Sequence, residues 1–338
     1  MTIRSLTLAL QGGGAHGAFT WGVLDRLLED ETLDIQGVSG TSAGAMNAGI
    51  LASNLQGGRD VAKEALERFW HDLSQVGAAA FNPYQSTPLH HLNKAWNIDW
   101  SPASIWLDVM AQFVSPYQLN PLDRNPLRDL LSAHLDLERL QHATAIKLFI
   151  CATNVKTNRL KIFKNADLTV DSFLASACLP QLHRAVEIDG EYYWDGGFTG
   201  NPVLKPLIRA CGANDILIIQ LNPTERQDLP ITSRDIVDRL NEVTMNASLM
   251  RELDSIATIT GLIEAGALKN PAYRPIHFHC IADPEVMAPL GTSSKNNTAW
   301  NFLTYLKDAG HAAADAWLKR NRRHIGKKST LNLDDFAI

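Results

Sequence analysis

The sequence predicts an α/β fold: three layers, α/β/α, around a mostly parallel central sheet, with a helical insertion and a C-terminal helical extension. Two observations predict it. Short apolar runs alternate with stretches of helical spacing, as strand–helix–strand units require. Twice near the N-terminus such a run ends in a glycine-bearing turn and passes straight into a helical pattern, at Gly12-Gly13-Gly14-Ala15-His16-Gly17 and at Gly40-Thr41-Ser42-Ala43-Gly44. The 338 residues, 45% hydrophobic and 20% charged, suffice for a large core without staples. A formal net charge of −5 argues against nucleic acid as a partner, because phosphate contacts need a basic surface.

Ser5 to Leu10 is the first strand, and Phe19, Val23, Leu24, Leu27 and Leu28 give the following helix an apolar face. Ile35 to Val38 is the second strand, followed by a helix through Met46, Ile50 and Leu51. In a parallel sheet both turns lie at the same carboxyl edge. Residues 69–140 break the rhythm with helical fragments, prolines, asparagines, and four of the eight tryptophans: Trp70, Trp96, Trp100 and Trp106. This stretch reads as a Trp-rich helical insertion with its own small core, or as a lid over an apolar site. Ile146 to Val155 is a continuous apolar strand with Leu160 to Phe163 as its partner, and a helix over Val170 to Ala177 stops before Pro180. Val186–Ile188 and Glu191–Trp194 flank Asp189-Gly190, a pair suited to a primed hairpin turn. Ile216 to Leu221 is a further buried strand, Ser233 to Ala265 a long helix, Ile276 to Ile281 a last strand and Trp300 to Leu318 an amphipathic helix.

Cys151, Cys178, Cys211 and Cys280 are isolated and read as small buried apolar residues rather than disulfide or metal partners. No apolar run approaches the roughly 20 residues of a membrane span. Met1-Thr2-Ile3-Arg4 leads into too short an apolar stretch for a signal-peptide core of about 7–15 residues, so a cytoplasmic protein is expected. The basic run from Lys319 to Lys328 reads as a cation-stabilised helix end, or as a docking point on an anionic membrane surface.

The chemistry concentrates in the turns. Gly40-Thr41-Ser42-Ala43-Gly44 fits G-x-S-x-G between a strand and a helix, the context that holds a serine hydroxyl clear of a sheet. Gly40 and Gly44 leave room for the neighbouring backbone, and the helix that follows directs its positive end at Ser42. Gly12, Gly14 and Gly17 also satisfy the dinucleotide pattern G-x-G-x-x-G, but the second strand ends in Ile35-Gln36-Gly37-Val38-Ser39 without the carboxylate that would hold a ribose. The alternative is an oxyanion hole, with the bare amides of Gly12, Gly13, Gly14 and Ala15 facing the Ser42 hydroxyl. A serine needs a base. Asp195, in Trp194-Asp195-Gly196-Gly197 at the end of a hairpin arm, is the favoured candidate over the turn-forming Asp189, and His277, His279, His311 and His324 lie in unremarkable settings. An Asp near its usual value of about 3.9 is a weak base; either burial beside apolar lid residues raises it, or the site relies on proton transfer in the transition state.

These motifs, in this order, resemble the patatin-like phospholipases. The glycine-rich segment, the elbow around Ser42, the Asp195-Gly196-Gly197 motif and the preceding Ala175-Ser176-Ala177-Cys178-Leu179-Pro180 all match, over roughly the first two-thirds of the chain. The resemblance implies a Ser42–Asp195 dyad without histidine, acting on lipid acyl esters, and needing no metal or other cofactor. A catalytic domain over 1–222 is expected, with a mainly helical extension over 223–338, beyond the resemblance, packed on it. The resemblance also implies a lipid or acyl-ester substrate, with peripheral membrane contact and homo-oligomerisation both open. His16 stands where the family usually carries Arg or Lys, and a mostly neutral histidine brings neutral acyl esters in beside phospholipids. A non-catalytic lipid- or granule-associated protein of the same fold and a nucleotide-dependent oxidoreductase are the alternatives.

Overall fold

The computed structural model describes residues 3–81, 96–98, 114–142, 146–270 and 274–336. In chain order the principal elements are β1 (Arg4–Leu10), α1 (Gly17–Leu28), β2 (Leu33–Gly40), α2 (Ala43–Asn54), α3 (Arg59–Phe81), α4 (Pro126–His134), β3 (Lys147–Asn154), β4 (Leu160–Lys164), α5 (Val170–Ser176), β5 (Val186–Ile188), β6 (Glu191–Asp195), α6 (Lys205–Ala210), β7 (Asp215–Ile219), α7 (Ser233–Glu264), β8 (His277–Ile281) and α8 (Trp300–Asn321). The sheet runs β5-β6-β3-β2-β1-β7-β8, with β4 also paired to β3. From β3 to β8 the neighbours are parallel, while β4, β5 and β6 form an antiparallel margin. The result is a mixed sheet with helices on both faces.

Alternation along the strands builds the layers, since successive side chains leave opposite faces. Leu6, Leu8 and Leu10 of β1, with Leu217 and Ile219 of β7, enter the larger core beneath α1, α2, α3 and α8. Ala9, Ile216 and Ile218 enter the second core beneath α6 and α7, with Phe149 and Phe278. The hairpin turn is as expected: Asp189 and Gly190 both take positive φ, 54° and 77°, as a type I′ turn demands. The long helix α7 starts at a Thr232 cap that accepts from the Asp235 amide, and stops at Gly266 with φ 70°.

Phe69 and Trp70 depart from the expectation that they open an insertion with its own core. They lie in the middle of α3, each 1% exposed, within the main core. Trp70 stacks parallel to Trp21 at 6.4 Å and donates its indole N–H to Asn47. Trp96 packs on Phe302 of α8 at 5.3 Å. Trp100 and Trp106, and with them most of the stretch read as a lid, lie outside the described residues. The C-terminal helix is bound tightly to the N-terminal part: a Cβ on Gly22 of α1 would fall 1.8 Å from the Lys307 carbonyl, and one on Gly310 of α8 would fall 2.0 Å from the Phe19 carbonyl. These two helices touch backbone to backbone. Arg322, in the basic run, is clamped to Asp30 and Thr32. Three cysteines are buried, Cys280 is partly so, and all four are free. Among the described residues no helix is long and apolar enough to cross a membrane.

Candidate active site

Parallel pairing of Leu10 with Gly40 brings the glycine loop and the serine turn out of the sheet at one level. They touch: a Cβ on Gly12 would lie 2.8 Å from the Ser42 Cβ and 2.8 Å from the Thr41 carbonyl. Ser42 has φ 54° and ψ −123°, a region that L-residues rarely enter, and it forms the N-cap of α2. Such a conformation costs about 1–3 kcal/mol and persists only when the surroundings enforce it. Here the Ser42 amide donates to the Ser176 hydroxyl at 3.0 Å, and the Ser42 carbonyl receives the amides of Ala45 and Met46. Gly40 and Gly44 make the turn sterically feasible, since a Cβ on the first would meet the Gly44 carbonyl at 2.5 Å and one on the second the Leu10 carbonyl at 2.3 Å. Ser42 itself remains partly exposed.

Strand pairing also delivers the candidate base. β2 lines one edge of β3 until Gly40 pairs with Ile150. Past that point β6 takes over the same edge, antiparallel, with its last residue Asp195 opposite Ala152. Two residues of strand separate the pairings, roughly 7 Å, so the carboxylate arrives beside the serine turn. Asp195 is 3% exposed, and one carboxylate oxygen accepts from the Gly197 amide at 2.7 Å. Burial pushes the Asp195 carboxyl up to about 6, against the opposing pulls of the Gly197 amide, the Ser42 hydroxyl and the Lys295 charge. Gly196 lets this turn lie on the Cys151 carbonyl, 2.3 Å from where a Cβ would be, and Gly197 lies against Met245. Asp189, by contrast, is exposed at the hairpin tip.

Of the four residues expected to form the oxyanion hole, Gly12 is already engaged: its amide donates to the Asn201 side-chain oxygen at 2.7 Å. Among the described residues the amides of Gly13 and Gly14 meet no acceptor. Gly14 takes φ +58° against the Lys295 carbonyl, 2.4 Å from a would-be Cβ, a position open only to glycine. Ala15 is buried in the short 3-10 turn that follows, and Gly17 packs its α-carbon on Ala43. His16 is buried, bonded through Nε2 to the Ser294 hydroxyl at 2.8 Å; burial first and the Lys295 charge second hold its pKa well below the usual value, so it is neutral. The late histidines are committed elsewhere: His279 to Asp215 and Thr330, His311 to Glu29. Asp25, Glu29 and His311 gather closely enough for a metal, but their carboxylates are already met by Lys63 and Lys307.

The support behind the glycine loop was invisible as a motif. Gln11, fully buried, accepts from the Leu221 and Asn222 amides and donates to Asn246. Asn222 donates to the Gly12 carbonyl, and Asn201 receives its amide. Two of these asparagines stand directly before a proline, Pro202 and Pro223, just past a strand or strand-end turn. That recurrence is the signal that could have found them. A groove of about 800 Å³ beside Asn222, running from Gln220 to Pro230 and Ala282 to Pro289, is lined by neither Ser42 nor Asp195.

A family model described as patatin-like phospholipase matches residues 8–208. A patatin-like phospholipase domain-containing protein of Caenorhabditis elegans, ZK370.4, is 24% identical over 295 residues, which is 85% of this chain. This chain spans 18% of that relative's length. Among solved structures, VipD from Legionella pneumophila aligns at 15% identity and TM-score 0.45, over 95% of this chain and 67% of that one. The ExoU–SpcU complex of Pseudomonas aeruginosa aligns at 18% identity and TM-score 0.30, over 96% and 61%.

Proposed function

The chain belongs to the patatin-like phospholipase family, and from that premise we propose that it is a serine acyl hydrolase cleaving fatty-acyl esters of (lyso)phospholipids or neutral lipids through Ser42 and Asp195. The observation that carries this reading is the buried Asp195 carboxyl, raised to about 6, beside a serine held at positive φ. At neutral pH such a carboxylate is ionised yet a far better proton acceptor than an exposed one. Ser42 Oγ attacks the ester carbonyl while its proton passes to Asp195. The oxyanion is met by the Gly13 and Gly14 amides, with the N-terminus of α2 adding its dipole. Collapse expels the alcohol, which takes the proton back from Asp195. Water then gives a proton to Asp195 and attacks the acyl-serine; the adduct collapses, the leaving Ser42 Oγ takes that proton back from Asp195, and the fatty acid departs. Residues 1–222 supply the reacting groups in this reading, and 223–338 support them. Exposed aliphatic side chains at Leu229 and Ile231, each about four-fifths exposed, with Val237, Leu240 and Val243 beyond them, favour peripheral contact with a lipid surface.

The test is intact-protein mass after a fluorophosphonate probe, on the wild type and on Ser42→Ala. One adduct on the wild type and none on the variant is the expected result, followed by release of fatty acid from a panel of phospholipids, lysophospholipids and neutral esters. No adduct on folded wild type, with detergent present, overturns the reading.

A further inference from the structure

Lys295 lies in a short turn between β8 and α8, outside residues 8–208. Its ammonium is bonded to two neutral amide oxygens, Asn222 at 2.7 Å and Asn241 at 2.6 Å. Among the described residues no carboxylate pairs with it directly. The nearest ones are engaged by other donors: Asp238 accepts from the Thr292 amide, and Glu242 is held by Arg226 and Arg239. A buried cation kept only for stability is expected to be paired, because an uncompensated charge is costly to enclose. This one is instead aimed at Asn222, whose side-chain amide reaches the Gly12 carbonyl at 3.1 Å and Gln11 at 3.1 Å. The Lys295 carbonyl meanwhile packs on Gly14. The residue thus touches the glycine loop twice, once through its backbone and once through Asn222.

We propose that Lys295 is a positioning residue for this reaction: through Asn222 and through its own carbonyl on Gly14 it fixes the glycine loop that presents the Gly13 and Gly14 amides, and its positive charge acts on the Ser42–Asp195 pair. The inference rests on the hydrolase reading above. The charge also bears on two neighbouring groups whose shifts burial sets. It lowers the Asp195 carboxyl against burial, and it helps keep His16 neutral. Lys295 is itself pushed down to about 8 by burial, opposed by Glu242, Asp238 and Asp195, so it is largely charged at neutral pH. The other groups around Asp195 are the Ser42 hydroxyl, the Gly197 amide and the thiols of Cys151 and Cys178, with Glu252 beyond Cys151. Burial pushes both thiols up to about 12, so both are neutral where Asp195 titrates. Burial also raises Glu252, whose carboxylate accepts the Leu204 and Lys205 amides.

Two variants separate the two roles. Lys295→Gln keeps a donor for Asn222 and Asn241 without charge, and Lys295→Met removes both. The rate of Ser42 labelling by the fluorophosphonate is followed against pH, and the Asp195 carboxyl is titrated directly by carbon-13 NMR, assigned by its loss in Asp195→Asn. Lys295→Met is expected to slow labelling at pH 7 by about 10–100-fold, the scale of a misplaced catalytic geometry. Both variants are expected to move the Asp195 titration, and the acid limb of labelling, upward by about half a unit or more as the cation is lost. Lys295→Gln retains most of the rate above that limb. An unshifted Asp195 titration in folded Lys295→Gln overturns the electrostatic role, and wild-type labelling by folded Lys295→Met overturns the positioning role. If Lys295→Met does not fold, Lys295→Gln carries the test alone, with an unshifted limb counting against the proposal. The NMR titration reads the same effect without turnover, so a wild type that titrates as described but never labels refutes the hydrolase reading rather than the effect of Lys295 on Asp195.

Discussion

The two strand–turn–helix units at the head of the chain leave the sheet side by side, yet they divide the work in opposite ways. After β1 the side chains are stripped away: Gly12, Gly13 and Gly14 expose backbone, and the one residue at positive φ is a glycine, which bears no strain there. After β2 the side chain is the point, and the backbone is forced around it, with Ser42 itself at φ 54°. One turn works through its amides and avoids strain; the other works through a hydroxyl and accepts it. Strain therefore belongs where a side chain must be aimed, and glycine where the backbone must be bare.

The largest effect expected from breaking this arrangement comes from Asp195, the base of the proposed reaction. Asp195→Asn is expected to lower turnover by about 10³–10⁴-fold while the fold survives, measured as fatty-acid release with circular dichroism as the control. The same variant has a stability signature. The folded carboxyl titrates at about 6, against about 3.9 in the unfolded chain. Between those values the folded protein holds a proton that the unfolded chain has lost. The Asp195 contribution to stability is thus full below about pH 4 and is lost as pH rises through 6, by about 2–3 kcal/mol. Activity moves the other way through the same window, because only the ionised form accepts the Ser42 proton. Urea unfolding at pH 4 and pH 7 is expected to show this slope in the wild type and to lose it in Asp195→Asn.

The first turn is tested by Gly14→Ala. The new Cβ meets the Lys295 carbonyl at a positive φ, and the displaced amides are expected to lower the rate by about 10–100-fold. A near-normal rate in the folded variant would separate the glycine loop from the oxyanion. The smallest effect concerns strain in the second turn. Ser42→Gly and Ser42→Ala both remove the hydroxyl, but only glycine relaxes at φ 54°. The glycine variant is expected to be the more stable of the two by about 1 kcal/mol in thermal or urea unfolding. Equal stabilities would mean that the turn stores no strain at its serine.

Much of this was legible in the sequence because the chemistry demands local patterns. The elbow, the glycine run and the Asp195 turn are short segments whose residues act on one another, so spacing alone exposes them. The short apolar runs of β1 and β7 likewise marked them as buried strands. The tertiary support was not legible. Gln11, Asn201, Asn222, Asn246 and Lys295 are scattered over most of the chain, and they meet only because parallel strands carry their ends to one edge. Trp70 misled for a related reason. Tryptophans in a stretch without strands suggested a separate core, whereas the helical period of α3 carries Trp70 back onto Trp21.

The backbone contact between α1 and α8 orders events in time as well as in space. α1 is translated before α8, with its glycine loop attached, and stays without its partner until Gly310 is made. Lys295 precedes that partner by only part of a helix. Ser42 and Asp195 are therefore translated before Asn222, Asn246, Lys295 and α8, the elements that hold their surroundings in place.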